Sequence, residues 1–140
     1  MTHSSPDHLG ALLAHVAKLT RERVDADLVR NGHGKLRSEL LNVLRVLVDG
    51  EQPSALARRT QRTRQAMNYI IVQLEELGYL DRPYGPGGAT RVLALTRDAR
   101  HALTVERAAL RAVERAWASR IGKERFDTLV AALQEIAAAG

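Results

Sequence analysis

The sequence contains no cysteine, so disulfides, thiolate metal sites and thiol redox switches are excluded, and any signal must arrive by another chemistry. Aromatic residues are scarce at 4%, which removes the stacking platforms on which single-stranded nucleic-acid binding relies. Lysine is nearly missing as well: Lys18, Lys35 and Lys123 are the only ones among 21 basic residues, set against 16 acidic ones. The net charge of +5 is therefore carried by arginine, whose planar fork suits bidentate contact with phosphate or guanine. No apolar run approaches the roughly 18 residues of a membrane span, and residues 1–8 lack a charged-then-apolar leader pattern. These absences predict a cytoplasmic protein with no membrane partner.

Catalytic and metal signatures are also lacking. His8 and His15 share a heptad spacing, and His33 and His101 stand elsewhere, but no HExxH or Cys/His cluster accompanies them. Solvated histidines and no metal are expected. There is no nucleophile elbow, phosphate loop or paired-carboxylate pattern, so the chain is expected to be non-enzymatic and to hold no cofactor.

What is present is 140 residues with 45% hydrophobic content, enough for one compact chain with a packed core. Ser5-Pro6-Asp7 reads as a helix start. Leu9, Leu12, Leu13, Val16, Leu19 and Leu28 follow at helical spacing up to the break at Asn31-Gly32-His33-Gly34. A second helix carries Leu36, Leu40, Val43, Leu44 and Leu47, and a short third opens with Pro53 and buries Ala55, Leu56 and Ala57. A fourth is expected from about Thr63 to Leu77, with Gly78 at its C-terminal turn. Strands Tyr79 to Arg82 and Arg91 to Leu95 flank a Pro/Gly-rich hairpin tip. Thr96 then caps a helix with Leu103, Leu110 and Trp117 at heptad spacing. After Gly122 a last helix lines up Phe126, Leu129, Val130, Leu133 and Ile136. The fold class is mainly α with a small β-hairpin wing.

The fourth helix carries the function. At about 100° per residue, Ala66, Met67, Ile70, Ile71, Leu74 and Leu77 gather on a core side. The opposite side bears Arg62, Gln65, Asn68, Tyr69, Val72, Gln73 and Glu76, with Thr63 and Arg64 in the first turn. Arginine, asparagine and glutamine match base edges in the major groove, while threonine and tyrosine suit phosphate or methyl contacts. An ordinary solvated face is rich in Glu and Lys, whereas Pro53 to Gln73 holds no acid and four arginines, Arg58, Arg59, Arg62 and Arg64. Arg82 and Arg91 at the feet of the hairpin complete a wing able to reach a neighbouring backbone or minor groove.

These residues resemble the MarR (multiple antibiotic resistance regulator) family of winged helix-turn-helix transcription regulators. The resemblance lies in Pro53-Ser54-Ala55-Leu56-Ala57, Thr63-Arg64-Gln65-Ala66-Met67, Leu74 to Arg82, and Leu93-Ala94-Leu95-Thr96. It implies a homodimer whose terminal helices intertwine and whose winged modules grip a pseudo-palindromic operator, with half-sites about one turn of DNA apart. It also implies a small-molecule effector; Met67, Tyr69 and Trp117 are compatible with a pocket or with core packing, and no ligand-binding residue is assigned. The apolar faces of the first and last helices exceed what a small winged module can cover, which points to a symmetry mate independently. Dimerisation helices are expected in 1–36 and 97–140, and the winged module in 37–96.

Three positions depart from the family pattern. The turn between the two motif helices is Thr60-Gln61-Arg62 in place of apolar-Gly-apolar, the wing has Gly87 and Ala89 where Asp-x-Arg is common, and Ala99 replaces a glycine. The expected DNA-contacting set is Ser54, Arg62, Thr63, Arg64, Gln65, Asn68, Tyr69, Gln73, Arg82 and Arg91. Because of the altered turn and wing, a protein-interaction or non-specific nucleic-acid-binding module without operator recognition stands as the alternative.

Overall fold

A computed structural model describes residues 6–88 and 90–140. The expected cap Ser5 and the wing position Ala89 lie outside the described residues. The elements run α1 (Pro6–Arg30), α2 (Ser38–Val46), α3 (Pro53–Arg59), α4 (Arg64–Glu76), β1 (Leu80–Asp81), β2 (Ala94–Leu95), α5 (Arg97–Ile121) and α6 (Lys123–Ala139), the mainly α architecture with a two-stranded hairpin that the sequence predicts. Two compact units emerge: a winged unit, Asp25–Glu106, and a helical unit made of residues up to Val24 together with Arg107–Gly140.

The winged unit has a continuous core. Leu40, Leu41, Val43 and Leu44 of α2, Leu56 and Ala57 of α3, and Met67, Ile70, Ile71 and Leu74 of α4 are buried, together with Leu28, Leu36, Tyr79, Leu80 and Leu93. Ala66, expected in this core, is exposed. It lies roughly 90° around α4 from the centre of the buried stripe, in the first turn.

Three helices end in the same way. At α1, Gly32 N–H bonds Val29 O at 3.2 Å and His33 N–H bonds Leu28 O at 2.8 Å; at α4, Gly78 and Tyr79 bond Glu75 O and Leu74 O at 3.0 and 2.8 Å. At α3, Gln61 and Arg62 bond Arg58 O and Ala57 O at 3.2 and 2.9 Å. Each is a Schellman closure, in which the residue after the cap turns left-handed. Gly78 does so freely at φ 86°, but Gln61 is forced to φ 57°, at a cost of about 1 kcal/mol. Thr60 offsets part of this by donating its hydroxyl to Leu56 O at 2.8 Å. The unusual turn is thus tightly closed, without the family's glycine.

In the hairpin, Leu80 pairs with Leu95 and Asp81 with Ala94, and a bridge between Tyr84 and Arg91 continues the same antiparallel register. The strands are shorter than expected because Pro83 has no N–H to give to the ladder; its carbonyl still accepts from Val92 at 2.9 Å. On the opposite edge, Gly50 N–H bonds Leu93 O at 2.8 Å and Leu93 N–H bonds Glu51 O at 2.9 Å, so the α2–α3 connection acts as a short third strand. Asp49 Oδ1 accepts from Leu95 N–H at 2.7 Å.

Thr96 begins α5 as expected: its hydroxyl oxygen accepts from Ala99 N–H at 3.2 Å and donates to Gly78 O at 2.7 Å. The buried stripe of α5 is Ala99, Ala102, Val105, Glu106, Ala109 and Val113, while the heptad-spaced Leu103, Leu110 and Trp117 are half-buried. Within the winged unit, Glu106 is buried yet paired. Arg45 on α2 donates Nε to both of its carboxylate oxygens at 3.1 Å, and Nη2 as well, which holds the Arg45 guanidinium above its ordinary range.

The helical unit is different in kind. Among its described residues only Val24, Ala109 and Val113 are buried, and α6 buries none. Leu9, Leu12, Leu13, Val16 and Leu19 on α1 and Leu129, Val130, Leu133 and Ile136 on α6 are all exposed in the single chain. Among the described residues no helix is long and apolar enough to cross a membrane.

Candidate nucleic-acid interface

The N-terminus of α4 is electropositive. Thr63 caps it, its hydroxyl oxygen accepting from Ala66 N–H at 3.0 Å, and the first turn contains no acid. The unsatisfied N–H groups there carry partial positive charge, and Arg64 adds a full one. Arg64, Gln65, Asn68 and Tyr69 are exposed, Tyr69 to 66%. Gln73, one turn on, is half-buried and donates to the Tyr69 hydroxyl at 3.3 Å. Ser54, in the first turn of α3, is half-buried and lines a shallow depression with Pro53, Arg64, Met67 and Asn68. Thus Ser54, Thr63, Arg64, Gln65, Asn68, Tyr69 and Gln73 lie on or beside one helix.

The remaining arginines of the expected set are held within the winged unit. Arg62 is half-buried, and its Nη1 is sealed without a hydrogen-bond partner among the described residues. Arg82 pairs with Glu75 at 2.8 Å and donates to Asn68 Oδ1 at 3.4 Å. Arg91 donates to the Arg82 carbonyl at 2.8 Å and lies 4.0 Å from the centre of the Tyr84 ring, a cation–π contact that braces the wing. Tyr84 is exposed; the hairpin register, which sets it opposite Arg91, was the signal that could have singled it out. Arg59 pairs with Glu51 at 2.7 Å and caps Val46 O at 2.8 Å, whereas Arg58 is exposed.

Sequence reasoning also missed a buried polar chain. His33, expected to be solvated, is 7% exposed. Its Nδ1 lies 2.7 Å from the Tyr79 hydroxyl and its Nε2 2.8 Å from Nδ1 of His101. Burial, followed by the neighbouring His101, lowers the His33 pKa below 6.5 against the opposing pull of Asp98. Burial, then Asp98, raises that of Tyr79. The chain of bonds can run in either direction and can hold one extra proton without losing a bond; a second proton sets two N–H donors against each other. Among the described residues, no group of three or more His, Cys, Asp or Glu is placed to hold a metal.

No family sequence model matches the chain, and no curated protein matches it by sequence. Solved structures do. The MarR family protein Rv2887 of Mycobacterium tuberculosis, in complex with DNA, is 27% identical with a TM-score of 0.67, over 95% of this chain and 98% of that one. The chain has the fold of the MarR-family transcription regulators. A MarR-family regulator from Rhodococcus sp. RHA1 is similar at 22% identity and a TM-score of 0.64, over 97% of this chain and 98% of that one. The transcriptional regulator Tm0710 of Thermotoga maritima is similar at 16% and 0.65, over 95% and 94%. The mycobacterial protein is also seen in complex with salicylic acid. These likenesses, together with the basic cap of α4, support a DNA-binding regulator.

Proposed function

We propose that this MarR-like chain is a sequence-specific transcription regulator that binds a pseudo-palindromic operator in the cytoplasm as a homodimer, without catalytic activity. The observation that carries this reading is the exposed face of α4, where Arg64, Gln65, Asn68 and Tyr69 follow a cationic, acid-free first turn. Arg64, Gln65 and Asn68 read base edges; Ser54, Thr63, Tyr69 and Gln73 serve phosphate and positioning contacts. Arg91, exposed at the foot of the hairpin, serves a backbone contact, and Arg62 and Arg82 support the surface from behind.

The helical unit supports the proposed dimer. The exposed leucines of α1 and α6 form apolar surface that a second copy of the same chain would remove from water, consistent with dimerisation helices in 1–36 and 97–140 and a winged module in 37–96. A small-molecule effector is proposed by analogy with the salicylic acid complex of the mycobacterial protein. The ion pair of Arg82 with Glu75 favours the second reading, a module without operator recognition, because it leaves the wing less charge to offer.

Selection of bound duplexes from a random library separates the two. Operator recognition is expected to enrich two inverted half-sites about one helical turn apart. Uniform recovery of all sequences would instead establish the second reading.

A further inference from the structure

Arg82 leaves β1 at the foot of the hairpin and turns its guanidinium back onto α4. A single atom, Nη2, lies 2.8 Å from Glu75 Oε1 and donates to Asn68 Oδ1 at 3.4 Å. Asn68 and Glu75 are separated by about two helical turns and roughly 20° around the axis, so one arginine spans one flank of the helix. Both ends of Arg82 are fixed. Its side chain is 27% exposed, and its backbone carbonyl accepts from Arg91 Nη1 at 2.8 Å.

This arrangement constrains what Asn68 can offer a base. An asparagine amide has one acceptor oxygen and two N–H donors. With the oxygen held by Arg82, the N–H donors are the groups left to meet a base. Asparagine pairs with adenine by donating to N7 while accepting from N6, whereas guanine presents two acceptors, O6 and N7, and no donor on the same edge.

We propose that Arg82 is a positioning residue that fixes Asn68 as a hydrogen-bond donor, so that the base facing Asn68 is read as guanine in preference to adenine. The inference rests on the operator-reading function proposed above. It also gives Glu75 a part: its charge is neutralised by the residue that orients the amide, and it anchors the guanidinium beside Asn68.

The test is selection of duplexes by the wild-type chain and by Asn68→Ala, Arg82→Met and Glu75→Gln. The base pair whose preference disappears in Asn68→Ala is the one that Asn68 faces. At that pair the wild type is expected to prefer guanine, and Arg82→Met to swing the preference toward adenine by on the order of tenfold while the other positions keep theirs. Glu75→Gln, which keeps Arg82 but removes its ionic anchor, is expected to move the preference the same way by less, and decides the matter should Arg82→Met not fold. Adenine at that pair in the wild type, or an unchanged preference in the variants, overturns the inference and leaves operator recognition standing. A uniform loss of affinity in Arg82→Met with a shallower salt dependence also overturns it, since that marks a phosphate contact. A wild type that enriches no motif overturns the proposed function and this inference with it.

Discussion

The two units of this chain use the same residue types to opposite ends. In the winged unit Leu28, Leu44, Leu56, Ile71, Leu74 and Leu93 are sealed from water. In the helical unit Leu9, Leu12, Leu13, Leu129, Leu133 and Ile136 are open to it. Each fully buried aliphatic side chain contributes about 1.5–3 kcal/mol, so the winged unit carries its own stability while the helical unit leaves that contribution unrealised in the single chain. Periodicity alone does not distinguish the two cases, because an apolar stripe looks the same whether its cover comes from within the chain or from a second copy.

Leu74→Ala is expected to cost about 2–5 kcal/mol of stability through lost contacts and a residual cavity, read as a lower denaturant midpoint. A paired substitution on the other unit, Leu129→Glu with Leu133→Glu, is expected to leave the winged core folded but to halve the mass in solution, because two charges cannot be buried unpaired at an interface. A wild type that already sedimented as a single chain would remove the distinction between the units.

Acid acts on the two units differently, because the His33 chain belongs to the winged unit alone. The pKa of His33 is lowered in the folded state, so the unfolded chain takes up the proton first. The stability contribution of the neutral ring is fully present above about pH 6.5, the unfolded value, and is lost as pH falls through the lower folded value. Denaturant midpoints measured from pH 8 to 5 are expected to fall more steeply below that point for the wild type than for His33→Gln; parallel curves would show that the buried imidazole is not titrating.

The smallest effect concerns the three matching helix ends. Gln61→Gly is expected to stabilise by no more than about 1 kcal/mol, the cost of a left-handed non-glycine residue less the entropy a glycine adds to the unfolded chain. Gly78→Ala at the equivalent position of α4 is expected to destabilise by about the same amount. Thermal melts compare the pair directly.

The sequence makes visible what is decided locally. Pro53, Thr63, Gly78 and Thr96 mark helix ends through their own local chemistry, and all four act where periodicity places them. The exposed face of α4 was legible for the same reason. What depends on distant partners was not. His33 meets Tyr79 and His101 across 46 and 68 positions of sequence, so nothing near it signals burial. Arg82 and Arg91 look like free wing cations until the hairpin register brings them together and α4 supplies Glu75. On α5 the buried stripe runs through Ala99, Ala102 and Ala109 and leaves the larger Leu103 and Leu110 half-buried.

The proposed function stands on the outward face of α4 reading base edges. Its most direct test is the ratio of affinities for a selected duplex and a scrambled one of equal length and salt, measured for the wild type, Arg64→Ala and Asn68→Ala. Each substitution is expected to weaken binding to the selected duplex by about 1–3 kcal/mol and to draw the ratio toward unity. A ratio unchanged in both variants would contradict the account.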